Sequence, residues 1–398
     1  MSPFLLVRVL AFIPSFFGST GDAVNERQLL IALTKKVDKC YVVTLIGFKQ
    51  LLTKRRTVLK LQRPKNLTII PIPVPQVHPL TTFLAMVSIS CFMSIIVASL
   101  NALGRMKTDL IYTRTSFFSI GFLTFKSSAK KTIVKIPSIT EEELIVSIPM
   151  KLLIRKLASF LDRLALAKAR KIAVHDILFY KKFVRLRSLK HNDEPLEIPP
   201  GVDLNLIRKA RSLESRWPMR NSTNIGFLGS LTWWQGADIL VQAIALIKNN
   251  YPQIRLYFIG DGELRPEIEK MCVALNIPYT VTGFLPHEEA LKYLKIIDVM
   301  VMPRRKTMTT ESVIPLKLIE SWAMRVPVIV TAHEVLKHKY KDGEDVLYVE
   351  PFPKDVANKI SLLLSNKSLR EKLSSRGVLL AREFSYDAIA NTILKSLR

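Results

Sequence analysis

Six charged residues crowd the stretch VMPRRKTMTTESVIPLKLIE: Arg304, Arg305, Lys306, Glu311, Lys317 and Glu320. The preceding IDVMVMP reads as a strand and the following LKLIESWAM as a helix, so Glu311 to Pro315 form a loop that feeds a helix N-terminus. Pro315 suits a first helical position, with Leu316 next. Free backbone amides there, Lys317 one turn in and the upstream cations make a set that can hold a diphosphate. Glu320 lies inside the helix, where a carboxylate can accept from two neighbouring hydroxyls, as on a ribose. Spacing alone leaves a second reading open: Glu311 and Ser312 cap the helix while Lys317 and Glu320 are solvated.

Three strand-to-helix turns carry glycines. PSFFGSTGDAVNERQLLIAL holds Gly18 and Gly21, FLGSLTWWQGADILVQAI holds Gly229 and Gly236, and YFIGDGELRPEIEKM holds Gly260 and Gly262. Glycine lets a backbone approach a ligand, and the next helix offers free N–H groups. None of the three reads G-x-G-x-x-G with an acid in the usual later place, which argues against a dinucleotide site. Several such turns at strand ends point to ligand binding at the carboxyl edge of open α/β sheets.

The elements that must position these residues are strands and helices in alternation. LLVRVLAFI, CYVVTLI, NLTIIPIPV, DLIYTR and TIVKIPS punctuate the first half; TNIGFLGSL, IRLYFIGDG, YTVTGFL, IDVMVMP and VPVIVT punctuate the second. Apolar strands spaced by helices imply parallel sheets covered on both faces. Two such series in tandem imply two doubly wound domains, 1–204 and 205–382, with a closing helix over 383–398. The 398 residues are 48% hydrophobic, enough to bury two cores. Cys40, Cys91 and Cys272 have neither disulfide nor zinc spacing, which fits a reducing compartment. SPFLLVRVLAFIPSFF lacks a basic start and a small-residue cleavage site, so it reads as a buried strand rather than a signal peptide.

The net charge is +26. Residues 1–205 hold 31 Lys/Arg and 13 Asp/Glu, a balance of +18; the remaining 28 and 20 leave +8. The front half therefore faces something anionic. Lys151 to Lys190 carries twelve Lys/Arg against Asp162 and Asp176, with Leu153, Leu157, Phe160, Leu161 and Leu164 at helical spacing. Such a helix either lies on an anionic membrane or packs on its own sheet with a solvated basic face. Nucleic acid is disfavoured, since no binding module or aromatic interleaving accompanies the charge. Pro79 to Gly104 is 26 residues without a formal charge and has no wet face, so it is expected to be buried, in protein or as a span in lipid.

In their order along the chain, IGFLGSLTWWQGADILVQAIALI, LYFIGDGELRPEIEKM, VTGFLPHEEALKYLKIIDVMVMP, PLKLIESWAMRVPVIVT and DGEDVLYVEP resemble the donor domain of retaining GT-B glycosyltransferases of family 4. GSTGDAVNERQLLIAL, PPGVDLNLI and FSYDAIANTILKSLR extend the likeness over nearly the whole chain. The resemblance implies two Rossmann-like α/β domains facing each other across a cleft, with the closing helix crossing back to the first. The C-terminal domain then binds a nucleotide-sugar, UDP- or GDP-linked, and the N-terminal domain an acceptor.

The family's two signature glutamates have seven residues between them. The second maps onto Glu320, on the ribose hydroxyls; the first falls on Ser312, with Glu311 adjacent and able to take the sugar-facing role after a one-residue shift. The family's diphosphate-clamping arginine and lysine fall on Ser230 and Gln235, which leaves Lys317 with Arg304 or Arg305 to replace them. Arg325 stands where the family prefers glycine, and Tyr112 and Arg114 where a histidine is common. Base selectivity is expected near TGFLP, at Phe284. The family mechanism needs no protein nucleophile, metal or other cofactor, because the departing phosphate oxygen can take the acceptor's proton. Many relatives act on lipid-linked acceptors, which implies a cytoplasmic protein held peripherally at the membrane face. A nucleotide-sugar epimerase on the same fold and a non-catalytic basic protein are the competing readings.

Overall fold

The computed structural model describes residues 5–13, 21–47, 64–74, 88–89, 91–97, 99, 108–115, 119–137, 148–188, 194–212, 222–307 and 310–397. They form two units. The first takes Met1–Pro199 together with Tyr386–Arg398, and the second Pro200–Ser385. The division falls at Pro199 rather than 204 because Val202 is buried in the second unit's core and donates its backbone N–H to Phe384 O at 2.8 Å. The final helix, Tyr386–Lys395, belongs to the first unit.

The first unit holds a seven-stranded sheet built from β1 (Leu5–Phe12), β2 (Val37–Gly47), β3 (Leu67–Val74), β4 (Leu110–Arg114), β5 (Thr132–Ile136), β6 (Lys171–Val174) and β7 (Leu196–Glu197), in the order β3-β2-β1-β4-β5-β6-β7. All its pairings are parallel. Alternate residues of β1 and β4 feed opposite faces. Val9, Ala11, Leu110 and Tyr112 pack with helices Gly21–Thr34 and Tyr386–Lys395, while Leu10, Phe12 and Ile111 pack with Phe122 and Val97. Burial on both faces is why these strands read as unbroken apolar runs.

A buried ion pair sits inside this unit. Lys135 Nζ on β5 lies 2.7 Å from Glu26 Oε1 on helix Gly21–Thr34, with side-chain exposures of 0% and 2%. Tyr112 on β4 donates its hydroxyl to Glu26 Oε2 at 3.2 Å. Burial, and then the Glu26 carboxylate, raise the Tyr112 pKa well above the ordinary phenol value.

Helix Ile148–Lys168 does not bury the expected leucine stripe. Ala158, Leu161 and Ala165 face the core, while Leu157 and Phe160 are exposed at 42% and 63%. Small residues let the helix approach the sheet closely and turn the larger ones outward. Its buried Asp162 receives Arg187 Nε at 2.8 Å. Of Pro79 to Gly104, the described residues are helical; Ser94 and Val97 are buried, but Phe92 and Ile95 are 64% and 52% exposed. All-round burial within the protein does not hold for this part. No helix among the described residues is long and apolar enough to cross a membrane.

The second unit is a six-stranded parallel sheet of β8 (Thr223–Leu228), β9 (Ile254–Ile259), β10 (Tyr279–Val281), β11 (Val299–Met302), β12 (Val328–Thr331) and β13 (Leu347–Val349), ordered β10-β9-β8-β11-β12-β13. Separate cores fill its two faces, one around Trp322 and one around Phe258. Helix Lys367–Glu383 crosses Trp322 at Gly377, where an added Cβ would fall 2.6 Å from the indole.

Breaking the buried pair of the first unit isolates a charge in a low-dielectric interior. Lys135→Met is expected to lower unfolding stability by about 3–5 kcal/mol in urea titrations. The double variant with Glu26→Gln should recover much of that loss.

Candidate active site

The strand order of the second unit dictates where a ligand can enter. The chain winds outward from β8 through β9 to β10, then returns to β11 on the other side of β8. Connections leave β8 and β11 in opposite directions, so a crevice opens between them at the carboxyl edge. The turns after these two strands, 229–236 and 303–315, contain Gly229, Ser230, Gln235, Arg304, Arg305, Glu311, Ser312 and Pro315.

The two turns are tied together by protein groups. Arg305 N–H donates to Trp234 O at 3.0 Å. The Arg305 guanidinium grips the Asp238 carboxylate, with Nη1 to Oδ1 at 2.9 Å, and also donates to Trp233 O. This fork is committed to holding the loop, which leaves Arg304 as the cation beside Lys317. The glycines divide similarly. A Cβ on Gly260 would meet Gly229 O at 2.1 Å and one on Gly262 would meet Leu231 O at 2.5 Å, so these two allow loop-on-loop packing rather than ligand approach. Gly229, at φ +121°, instead clears space for Lys317, whose Nζ would lie 3.1 Å from an added Cβ. Ser230 is exposed.

Lys317, in the first turn of helix Leu316–Ala323, donates to Gln235 Oε1 at 2.6 Å and sits 5.1 Å from the Phe227 ring centre. The side chain is half-buried. Burial lowers its pKa well below the ordinary lysine value, nearby Arg304 adds to that, and Glu320 opposes it. Arg304 is only 4% exposed, and its guanidinium carbon stands 5.2 Å from the Trp234 ring centre. Its Nε and Nη1 have no hydrogen-bond partner among the described residues. Burial pulls its pKa down to about 10. Unpaired buried donors of this kind are costly, and an arriving anion removes the cost.

Other groups at the same edge were not signalled by sequence spacing. Thr232 Oγ1 and His333 Nε2 are also buried without partners. Burial, then the charges of Arg304 and Lys306, depress the His333 pKa to about 3, so its imidazole is neutral near pH 7. His287 Nε2 lies 2.5 Å from Glu320 Oε1. A lone histidine at the start of a helix carries no pattern that would have marked it.

Glu320 is 5% exposed, and Lys317 is turned toward Gln235, so the reading in which both are solvated does not hold. Glu311 does not cap helix Leu316–Ala323 either. Pro315 is its N-cap residue rather than its first helical one, and no side chain caps it. Glu311 Oε2 accepts from Glu334 N–H at 2.6 Å, at the start of the next helix, Glu334–Lys339, and its Oε1 lies 3.5 Å from His333 Nδ1. Ser312 is buried at 2% exposure, and Phe284, in the turn after β10, is 63% exposed. In the first unit, Gly18 lies outside the described residues, Gly21 opens helix Gly21–Thr34, and Arg114 ends β4 half-buried.

Residues 217–378 match the family described as Glycosyl transferases group 1. The lipopolysaccharide core biosynthesis glycosyltransferase LpsE of Rhizobium meliloti (strain 1021) is 28% identical over 172 residues, 43% of this chain and 48% of that protein. The alpha-monoglucosyldiacylglycerol synthase of Acholeplasma laidlawii is 24% identical over 356 residues, 85% of this chain and 82% of that protein. The first two curated relatives are thus matched over about half their length, 48% and 49%. Among solved structures, sucrose-phosphate synthase from Thermosynechococcus elongatus superposes with a TM-score of 0.75 at 18% identity, covering 98% of both chains. Anabaena HepE in complex with UDP and glucose gives 0.70 at 14% identity, covering 98% of this chain and 99% of that one. This chain has the GT-B fold of those structures, and the stretch of its second unit over 217–378 is similar to the glycosyl transferases group 1.

Proposed function

We propose that this chain is a retaining glycosyltransferase that moves a sugar from a nucleotide-sugar to a lipid-linked or surface-glycan acceptor at the cytoplasmic membrane face. The observation that carries the reading is the pair of desolvated cations at the β8/β11 crevice, Lys317 and Arg304, with guanidinium donors that have no protein acceptor. A diphosphate supplies both the charge and the acceptor atoms that this corner lacks. The names of relatives add direction: one is a phosphatidyl-myo-inositol mannosyltransferase and one a monoglucosyldiacylglycerol synthase, and HepE is described with UDP and with UDP-glucose.

In this reading the second unit binds the donor and the first offers the acceptor. The bond from the anomeric carbon to the phosphate oxygen breaks with its electron pair going to that oxygen. Lys317, Arg304 and the amides opening helix Leu316–Ala323 stabilise the charge that develops there. An acceptor hydroxyl attacks from the same face and gives its proton to the departing phosphate oxygen. No protein nucleophile, metal or other cofactor takes part. Glu320 holds the ribose hydroxyls, and Glu311 serves by fixing His333 and the next helix rather than by meeting the sugar. Arg114, at the carboxyl end of β4, is the acceptor-side cation.

Membrane docking in this reading uses helix Ile148–Lys168. Arg155, Lys156 and Arg163 are exposed beside Leu157 and Phe160, which suits an anionic interface.

Calorimetry with UDP and GDP tests the site. Saturable binding of one of them is expected, weakened about ten- to a hundredfold by Lys317→Met or Arg304→Gln, the range for lost charge-assisted hydrogen bonds. Unchanged binding in both variants would reject the site. The buried guanidinium costs stability when no anion is present, so Arg304→Met should melt at or above the parent temperature without ligand while losing the nucleotide-induced shift.

The pH dependence has a definite sign. Lys317 has a lowered pKa in the free protein, and a bound diphosphate raises it again. Binding therefore takes up a proton, and affinity is full below the free-state pKa and falls as pH rises through it. Titrations in buffers of different ionisation enthalpy measure that uptake.

For the membrane, the neutralising pair Arg155→Gln and Lys156→Gln should reduce co-sedimentation with phosphatidylglycerol vesicles at low salt roughly thirtyfold, at about 1 kcal/mol per cation. Binding that is indifferent to salt and to these changes would remove the docking part.

A further inference from the structure

The turn after β10, 282–286, ends in Pro286, from which helix His287–Leu294 begins. Its first residue reaches across the unit. His287 Nε2 lies 2.5 Å from Glu320 Oε1, between side chains only 24% and 7% exposed. Glu320 itself rises from helix Leu316–Ala323, less than one turn after Lys317.

An ionised carboxylate only accepts hydrogen bonds, so Nε2 is the donor. The terminal torsion of a glutamate is broad and roughly two-fold, and an unrestrained carboxyl samples a wide range of planes. Recognition of a vicinal diol needs one plane, with an acceptor oxygen held toward the two hydroxyls. A short bond to a ring that is itself fixed at a helix start supplies that restraint. No loop residue is needed, because donor and acceptor both stand on helices.

We infer that His287 is a positioning residue that locks the Glu320 carboxylate for the ribose diol and so gives the site its preference for ribonucleotides over 2′-deoxyribonucleotides. This deepens the nucleotide-sugar reading and rests on it. His287 touches Glu320, not the reacting atoms. Its loss should therefore act on nucleotide discrimination rather than on the diphosphate grip of Lys317 and Arg304.

The experiment compares UDP with 2′-deoxy-UDP, and GDP with 2′-deoxy-GDP, by calorimetry on the full chain and its variants. The parent is expected to favour the ribo form by roughly tenfold or more, the range for a hydrogen bond to a charged group. His287→Leu should cut that ratio to about threefold or less, while binding of the deoxy form stays within about twofold of the parent. His287→Gln, whose side-chain amide can present an N–H near the place of Nε2, should keep most of the ratio; this arm stays informative if the leucine variant folds poorly. Glu320→Ala should abolish the preference. A parent-like ratio in His287→Leu, with the preference lost in Glu320→Ala, overturns the role of His287 and leaves the nucleotide site standing. A parent-like ratio and affinity in Glu320→Ala, or no binding of either nucleotide, overturns the inference together with the reading beneath it.

Discussion

Two positive charges held out of water at the end of one parallel sheet are the constraint on which the second unit's architecture turns. Burial lowers the proton affinity of both Lys317 and Arg304, and the Arg304 charge lowers that of Lys317 further. A protein under selection for stability alone would pair such groups or replace them with apolar ones. Here Gln235 gives Lys317 a neutral oxygen and Trp234 gives Arg304 a ring face. Both are weak compensation compared with a carboxylate. Acids are near but otherwise engaged: Asp238 is gripped by Arg305, Glu311 by the start of a helix, and Glu320 by His287. The local arrangement thus preserves positive potential where the strand order opens a crevice, with Arg304 donors left without partners among the described residues.

Much of this was legible in the sequence. The ten apolar runs read as strands are all strands, because parallel strands buried on two faces cannot hide polar residues and announce themselves. β6, β7 and β13, of four, two and three residues, are not among those runs. The helix after β11 and its Lys317 and Glu320 were also readable, since a strand, a proline and a helix in that order leave one place for a helix N-terminus. The choice between Arg304 and Arg305 was not. Adjacent arginines are equivalent in composition, and what separates them is Asp238, more than sixty residues away, which claims one of the two forks.

The failures of sequence reasoning share a cause: spacing fixes which residues share an element but not the partner each side chain meets. The sequence offers Glu311 a sugar-facing role or a cap on the helix that follows it, yet its carboxylate accepts from the start of a helix that begins at Glu334. Gly260 and Gly262 were read as openings for a ligand, yet Gly229 O and Leu231 O already fill the space beside them. Leu157 and Phe160 were read on one stripe with Leu161, yet the close approach permitted by Ala158 and Ala165 rotates the stripe and exposes the larger side chains. In each case a contact remote in sequence decided the role.

That same dependence gives the substituted signature residues a physical account. Where the resemblance implies an arginine and a lysine, this chain has Ser230 and Gln235, and the cations at this edge stand on the turn after β11 and the helix it feeds. Electrostatic stabilisation depends on where charge stands relative to the leaving oxygens, not on which strand delivers it. The β8 and β11 turns flank one crevice, so a cation supplied by either can serve one diphosphate. Gln235 accepts from the Lys317 ammonium and so fixes where that charge stands. Gly229 follows from this as well, since at φ +121° an added Cβ would press on the ammonium from 3.1 Å.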